Sequence, residues 1–188
     1  MRRVAVAPAV AAVVLVAACA RQEAPPGGPE DLRPPVVVRT VPEAFAVVPG
    51  LDEVRFDFDE RISERVTGGV LLEAVTVSPR SGPLRVTKGR RSISVRPEGG
   101  FEPGLVYRVT LRPVVSDMFG NRLGDPFELV FSTGPEPVPT TLAGEVWDRV
   151  TGQPVSDATV YVSTGDERVH VSSTDSRGIF ALRYVPEG

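Results

Sequence analysis

The chain is poor in the residues that staple, ligate and cross-link. Its 188 residues include one cysteine, one histidine and one tryptophan, and Lys88 is the sole lysine. With Cys19 alone there is no intramolecular disulfide, so the fold rests on its apolar core. His170 has no second histidine, no H-E-x-x-H pattern and no partner thiol, which excludes a zinc centre or a nucleophilic triad built around it. Residues 142–188 contain no lysine, which excludes a lysine isopeptide cross-link there. Apolar runs are short as well. Val4–Ala18 is almost wholly Val, Ala and Leu, yet it falls below the ~20 residues a helix needs to span the hydrocarbon core. The net charge of −3 argues against a nucleic-acid partner.

What is present begins at the amino terminus. Met1-Arg2-Arg3 is a positive start, Val4–Ala18 an apolar stretch, and Val16-Ala17-Ala18-Cys19 a small-residue cleavage site. Together these are the parts of a secretory signal. Small residues running into Cys19 resemble the bacterial lipobox. The resemblance implies a signal peptide over 1–18, cleavage after Ala18 and acylation of Cys19. Cleavage removes Arg2 and Arg3, leaving 19 basic against 24 acidic residues and a mature net charge of about −5. Ala20 stands where an aspartate would signal inner-membrane retention, so the outer membrane is the expected address, its periplasmic or surface side left open.

Residues 19–35 read as a tether. ARQEAPPGGPEDLRPP has no apolar period and is rich in Pro and Gly, the composition of an extended spacer. From Val36 the pattern alternates with period two. Val54, Phe56 and Phe58 alternate with Arg55, Asp57 and Asp59; Tyr107, Val109 and Leu111 alternate with Arg108, Thr110 and Arg112. Such strands bury one face and wet the other. Seven are expected over residues 36–134, with a tight polar turn at Lys88-Gly89-Arg90-Arg91 and a helical turn within Glu60–Val70. This is the pattern of an all-β, antiparallel β-sandwich. A stiff Pro-rich linker follows over 135–140, then four more strands over 141–188, with Asp175 and Gly178 at the corners of a hairpin.

The residues carry two further resemblances. VRFDFDERIS at Val54–Ser63, VTVSP at Val75–Pro79, Ser116-Asp117-Met118-Phe119-Gly120-Asn121 and FSTG at Phe131–Gly134 resemble the SbsA-type bacterial Ig-like domain. That family implies an Ig-like sandwich and transfers no catalytic residues. Gly144, Thr151-Gly152, Pro154-Val155, Thr174-Asp175, Gly178 and Phe180 resemble the start of a carboxypeptidase-regulatory-like domain, a transthyretin-like β-sandwich. That family has about three more strands, so residues 141–188 read as an incomplete sandwich and the chain as a fragment of a longer reading frame.

Candidate chemistry is sparse. Asp57 and Asp59 are weak metal candidates on one strand face, and they read better as a solvated face balanced by Arg55 or Arg108. Asp117, the third weak metal candidate, reads better as the cap of a turn. Arg85, Lys88, Arg90 and Arg91 form a basic hairpin tip, read chiefly as protection against sheet-to-sheet association, the alternative being contact with lipid phosphates or a polyanionic glycan. Trp147 and Tyr161 are weak ligand-stacking candidates, with a core or interface role favoured for Trp147, whose face is ambiguous. No cofactor and no catalytic residue is expected. The expected function is that of a non-enzymatic, lipid-anchored envelope protein, a spacer with a protein- or glycan-contact surface. The alternatives are a carbohydrate-binding accessory lipoprotein using the C-terminal strands, or the front of a larger envelope protein or enzyme.

Overall fold

The computed structural model describes residues 28–64, 70–163 and 168–185. The signal segment and Cys19 lie outside them. All seven expected strands of the first region are present: β1 (Val37–Val41), β2 (Val54–Phe58), β3 (Val75–Ser78), β4 (Leu84–Lys88), β5 (Ser92–Pro97), β6 (Val106–Leu111) and β7 (Phe127–Ser132). They form two antiparallel sheets, of order β1-β2-β5-β4 and β3-β6-β7. The alternation explains why they pack. Val54 and Phe56 of β2, Ile93 and Val95 of β5, Tyr107, Val109 and Leu111 of β6, and Leu129 and Phe131 of β7 all have no exposed surface and share one core. Each such side chain contributes roughly 1.5–3 kcal/mol by leaving water. The rings of Phe101, Tyr107 and Phe131 meet at 4.9–5.6 Å between centroids. The buried Tyr107 hydroxyl is satisfied by the Glu102 amide at 3.0 Å and the Ser81 hydroxyl at 3.1 Å.

The free edge of β7 is covered. Val47 bridges Ser132 in parallel register, and Phe45 N–H bonds to Val130 O, Val48 N–H to Ser132 O and Ser132 N–H to Ala46 O. Residues 45–48 thereby occupy backbone groups that would otherwise invite another chain.

The helical turn expected within Glu60–Val70 lies partly outside the described residues. Residues 65–69 fall outside the described residues, Ile62 makes a bridge to Asp117, and the 3-10 turn is Leu71–Ala74. Ile62 is fully buried in the core.

The C-terminal strands are β8 (Thr141–Glu145), β9 (Thr159–Ser163), β10 (Val169–Ser173) and β11 (Ile179–Arg183). The hairpin expected around Asp175 does not form a sheet: β10 pairs with β9, and β11 pairs with β8. The Asp175–Gly178 turn instead carries the chain from one two-stranded sheet to the other. Asp175 accepts from the amides of Arg177 and Ile179 at 2.8 and 3.0 Å, and Gly178 turns with φ of 76°. Residues Asp31–Gly188 form one compact unit, with β10 packed beside β3.

Candidate functional site

The acidic residues separate by role. Asp57 takes a 2.7 Å bond from Arg55 Nε on the same strand face. Asp59 lies past the end of β2 and accepts from the Val36 amide at 2.8 Å. The carboxylates that converge are Asp31, Glu60 and Asp117, whose oxygens lie within 4.8 Å of one another. Asp31 escaped the sequence reading because it joins the others only through tertiary folding, its carbonyl accepting from Asn121 Nδ2 at 2.8 Å. Three such oxygens are of the type that hard cations prefer. Asp117, however, already closes its own turn, accepting from the amides of Phe119 and Asn121 and from Asn121 Nδ2, each at 2.8 Å. Burial pushes its carboxyl up, but those bonds together outweigh burial and hold it below the usual range. Glu60 goes the other way: desolvation first, then repulsion from Asp117, Asp31 and Asp59, pushes it up.

The most constrained polar residue is Arg108, which the alternation assigned to a solvated face. It is instead buried, at 4% exposure, because β10 and β11 cover the outer face of the β3-β6-β7 sheet. Its Nη1 donates to Ala181 O at 3.0 Å and its Nη2 to Val171 O at 2.7 Å. One planar guanidinium thus ties together strands of both C-terminal sheets. Glu128 supplies the counter-charge at 3.3 Å and also faces Arg183 at 3.7 Å. Burial draws the guanidinium below its ordinary value, opposed by Glu128. No local signal marks Arg108, since its partners are 63 and 73 residues away.

Further polar contacts extend this seam. The Val171 amide donates to Ser78 Oγ at 3.1 Å, and the buried His170 Nδ1 lies 3.5 Å from the same oxygen. The Arg80 amide bonds to Val169 O at 2.9 Å, and the Phe45 and Tyr184 rings meet at 5.8 Å. Beside His170 a cavity of about 350 Å³ is lined chiefly by apolar groups, among them Leu105, Val106, Val138 and Tyr184, with Arg168 at its rim.

Trp147 and Tyr161 stay outside the core, at 53% and 52% exposure. Of the core or interface role favoured for Trp147, this corrects the core part: Trp147 follows β8 at an isolated bridge to Pro154, and its Nε1 donates to Glu145 at 2.9 Å. Tyr161 lies under Arg80, whose guanidinium carbon is 4.6 Å from the ring centre and whose Nη2 donates to its hydroxyl at 2.9 Å.

Among solved structures, the chain is similar to the N-terminal part of the bacterial S-layer protein SbsC, at 12% identity and a TM-score of 0.37, over 82% of this chain and 33% of that one. The S-layer protein rSbsC(31-844) is similar at 13% identity and a TM-score of 0.36, over 78% and 18%. The LD transpeptidase LdtMt1, in complex with imipenem, is similar at 12% identity and a TM-score of 0.34, over 74% of each chain. The chain therefore spans a third or less of the two S-layer structures. No curated protein matches it. Residues 31–133, more than half of the chain, match the family described as Bacterial Ig-like domain. With the two-sheet sandwich and its single apolar core over the same residues, the chain belongs to the bacterial Ig-like domain family.

Proposed function

We propose that this protein is a lipid-anchored contact and spacer module of a bacterial envelope, working by presenting surfaces and not by catalysis. The Ig-like sandwich supports a structural or contact role. The observation that carries the reading furthest is Arg108. Its bonds to Val171 and Ala181 bind the first sandwich to the strands beyond it without a free hinge, as a spacer requires. The polar clusters favour contact over chemistry, since Asp57, Asp59 and Asp117 each serve a local structural bond. The signal, Cys19 and the Pro/Gly tether supply the anchor in this reading, and two or three acyl chains hold a protein at a bilayer. Residues 141–188 are read as the opening strands of a carboxypeptidase-regulatory-like unit, consistent with their two paired sheets. The test is Cys19→Ser in the natural host. The variant is expected in soluble fractions without palmitate label, while the parent is labelled and sediments with membrane. A parent that takes no label and a variant that still sediments would overturn the anchor.

A second reading has its own observation, the exposed ring of Trp147. An exposed indole with its N–H held at one end offers a stacking face for a sugar. Loss of glycan retention in Trp147→Phe and Trp147→Ala, graded in that order, supports it; equal retention by both discards it.

A further inference from the structure

The outer face of the β1-β2-β5-β4 sheet carries an unusual charge arrangement. Register places Arg85 of β4 directly opposite Arg96 of β5. Like charges facing across a strand pair are destabilising. Arg39 and Arg55 point to the same face, because their neighbours Thr40 and Phe56, Val54 and Val95 pair on the inner side. Two of the arginines form ion pairs: Arg55 with Asp57 at 2.7 Å and Arg96 with Asp52 at 3.6 Å. Register sets Arg39 opposite Asp57, and Glu98 lines the same groove as Arg85 and Arg96, but among the described residues neither Arg39 nor Arg85 forms a close ion pair. Between the arginines the floor is flat and small, with Ser94 opposite both Arg55 and Thr87. Arg90 and Arg91 sit in the turn at the end of the same hairpin, both exposed. This basic face stands on a chain of net charge −3.

The edge of this sheet is β1, the strand into which the tether runs. Leu32, Val36, Val38 and Val41 along that approach are 71%, 54%, 61% and 40% exposed. Exposed apolar side chains interleaved with Arg33 and Arg39 suit an interface of acyl boundary and headgroup. The tether of residues 19–35, fully extended at about 3.1 Å per residue, reaches only some 50 Å.

We infer that this sheet face, led by the β1 edge, rests on an anionic phospholipid surface, the arginines against headgroup phosphates and the β1 valines at the headgroup–acyl boundary. The inference rests on the anchor proposed above for the choice of lipid as occupant, and its test does not use the anchor. The chain from residue 19 with Cys19→Ser is mixed with vesicles of phosphatidylcholine alone or with 30% phosphatidylglycerol, and co-sedimentation is measured. Partition is expected onto the anionic vesicles only, and is expected to fall away between about 50 and 500 mM salt. Arg85→Gln with Arg96→Gln should cut partition on the order of 25-fold, and Arg39→Gln alone about fivefold, from the usual contribution of a basic residue at such a surface. All three positions are exposed, so the variants fold, which far-UV circular dichroism verifies. Arg149→Gln with Arg177→Gln removes the same charge from C-terminal turns and should leave partition unchanged. Absence of partition at low salt, equal binding to neutral vesicles, or an equal loss in the control pair overturns the inference. So does retention on an immobilised polyuronate without vesicle binding, which would give the face to a glycan. Vesicle binding without palmitate label on the parent would discard only the anchor; label without vesicle binding would discard only this inference.

Discussion

The two halves of the compact unit are stabilised by different means. Residues 31–133 enclose a core in which nine side chains of β2, β5, β6 and β7 are fully withdrawn from water. The C-terminal strands bury only Val171 and Leu182 among their apolar side chains, at 5% and 0% exposure, while Leu142 remains 44% exposed. The first half closes on itself around this core. The second half is two strand pairs held against a neighbour, and polar residues such as Arg108 and Ser78 take the place of a core. Sheets of two strands are marginal alone. The lesson is that an all-β chain of uniform appearance contains one self-sufficient sandwich and one dependent layer.

The sharpest way to break that comparison is to divide the chain. Residues 141–188 alone, about 48 residues, are expected to lose ordered structure altogether, near the size at which an unstapled core fails. Residues 31–134 alone should unfold cooperatively. Dispersed, sharp amide signals from 141–188 would show that the dependence is false.

Next in size is Arg108→Ala. It leaves two strand carbonyls without their donor and Glu128 with only Arg183 as counter-charge, at a cost of about 2–4 kcal/mol. The loss should fall on one side: amide exchange in β10 and β11 accelerates strongly while β2 and β5 stay protected. Arg108→Lys is expected to recover little, since one ammonium does not reproduce the forked geometry. Uniform acceleration through both halves would deny Arg108 its special place.

Gly178→Ala should cost less, about 1–2 kcal/mol. At φ of 76° an added Cβ would also meet Val146 O at 2.5 Å and Pro154 Cβ at 3.1 Å. Hydrogen exchange is expected to localise the effect to β8 and β11.

The smallest effect belongs to the first half and depends on pH. Glu60 is pushed up by desolvation and by its acidic neighbours. A carboxyl raised in the folded state disfavours folding once ionised, so its cost is absent below the ordinary value of 4.5 and fully present above the raised one. Glu60→Gln should therefore raise the Tm by about 1–2 °C at pH 7 and leave it unchanged at pH 3.5. A destabilisation at pH 7 would contradict the repulsion.

Much of the first sandwich was legible in the sequence. Val54-Arg55-Phe56-Asp57-Phe58 and Tyr107–Leu111 alternate so cleanly that both strands and their inner faces follow directly. Alternation is silent about what covers the other face, which is why Arg108 read as solvated. It is equally silent about partners. Val169–Ser173 and Ile179–Arg183 are adjacent in sequence with a good turn between them, yet each pairs elsewhere. The gathering of Asp31, Glu60 and Asp117 was out of reach for the same reason, as it is set by tertiary packing across 86 residues. Trp147 misled because an aromatic next to a strand usually buries; here the strand beside it is an edge.

The parallel contact between residues 45–48 and β7 has a mechanical consequence. The chain enters the sandwich through β1, runs directly into this segment, and leaves just after β7. Once the β1–β2 pairing has yielded, a pull on the two ends draws the segment and β7 in opposite directions along their length. The bonds from Phe45 to Val130, Val48 to Ser132 and Ser132 to Ala46 then bear the load side by side, and have to rupture together instead of unzipping one after another. A domain strung between an anchor and whatever its far end grips would resist extension at this patch, whatever its resistance to heat.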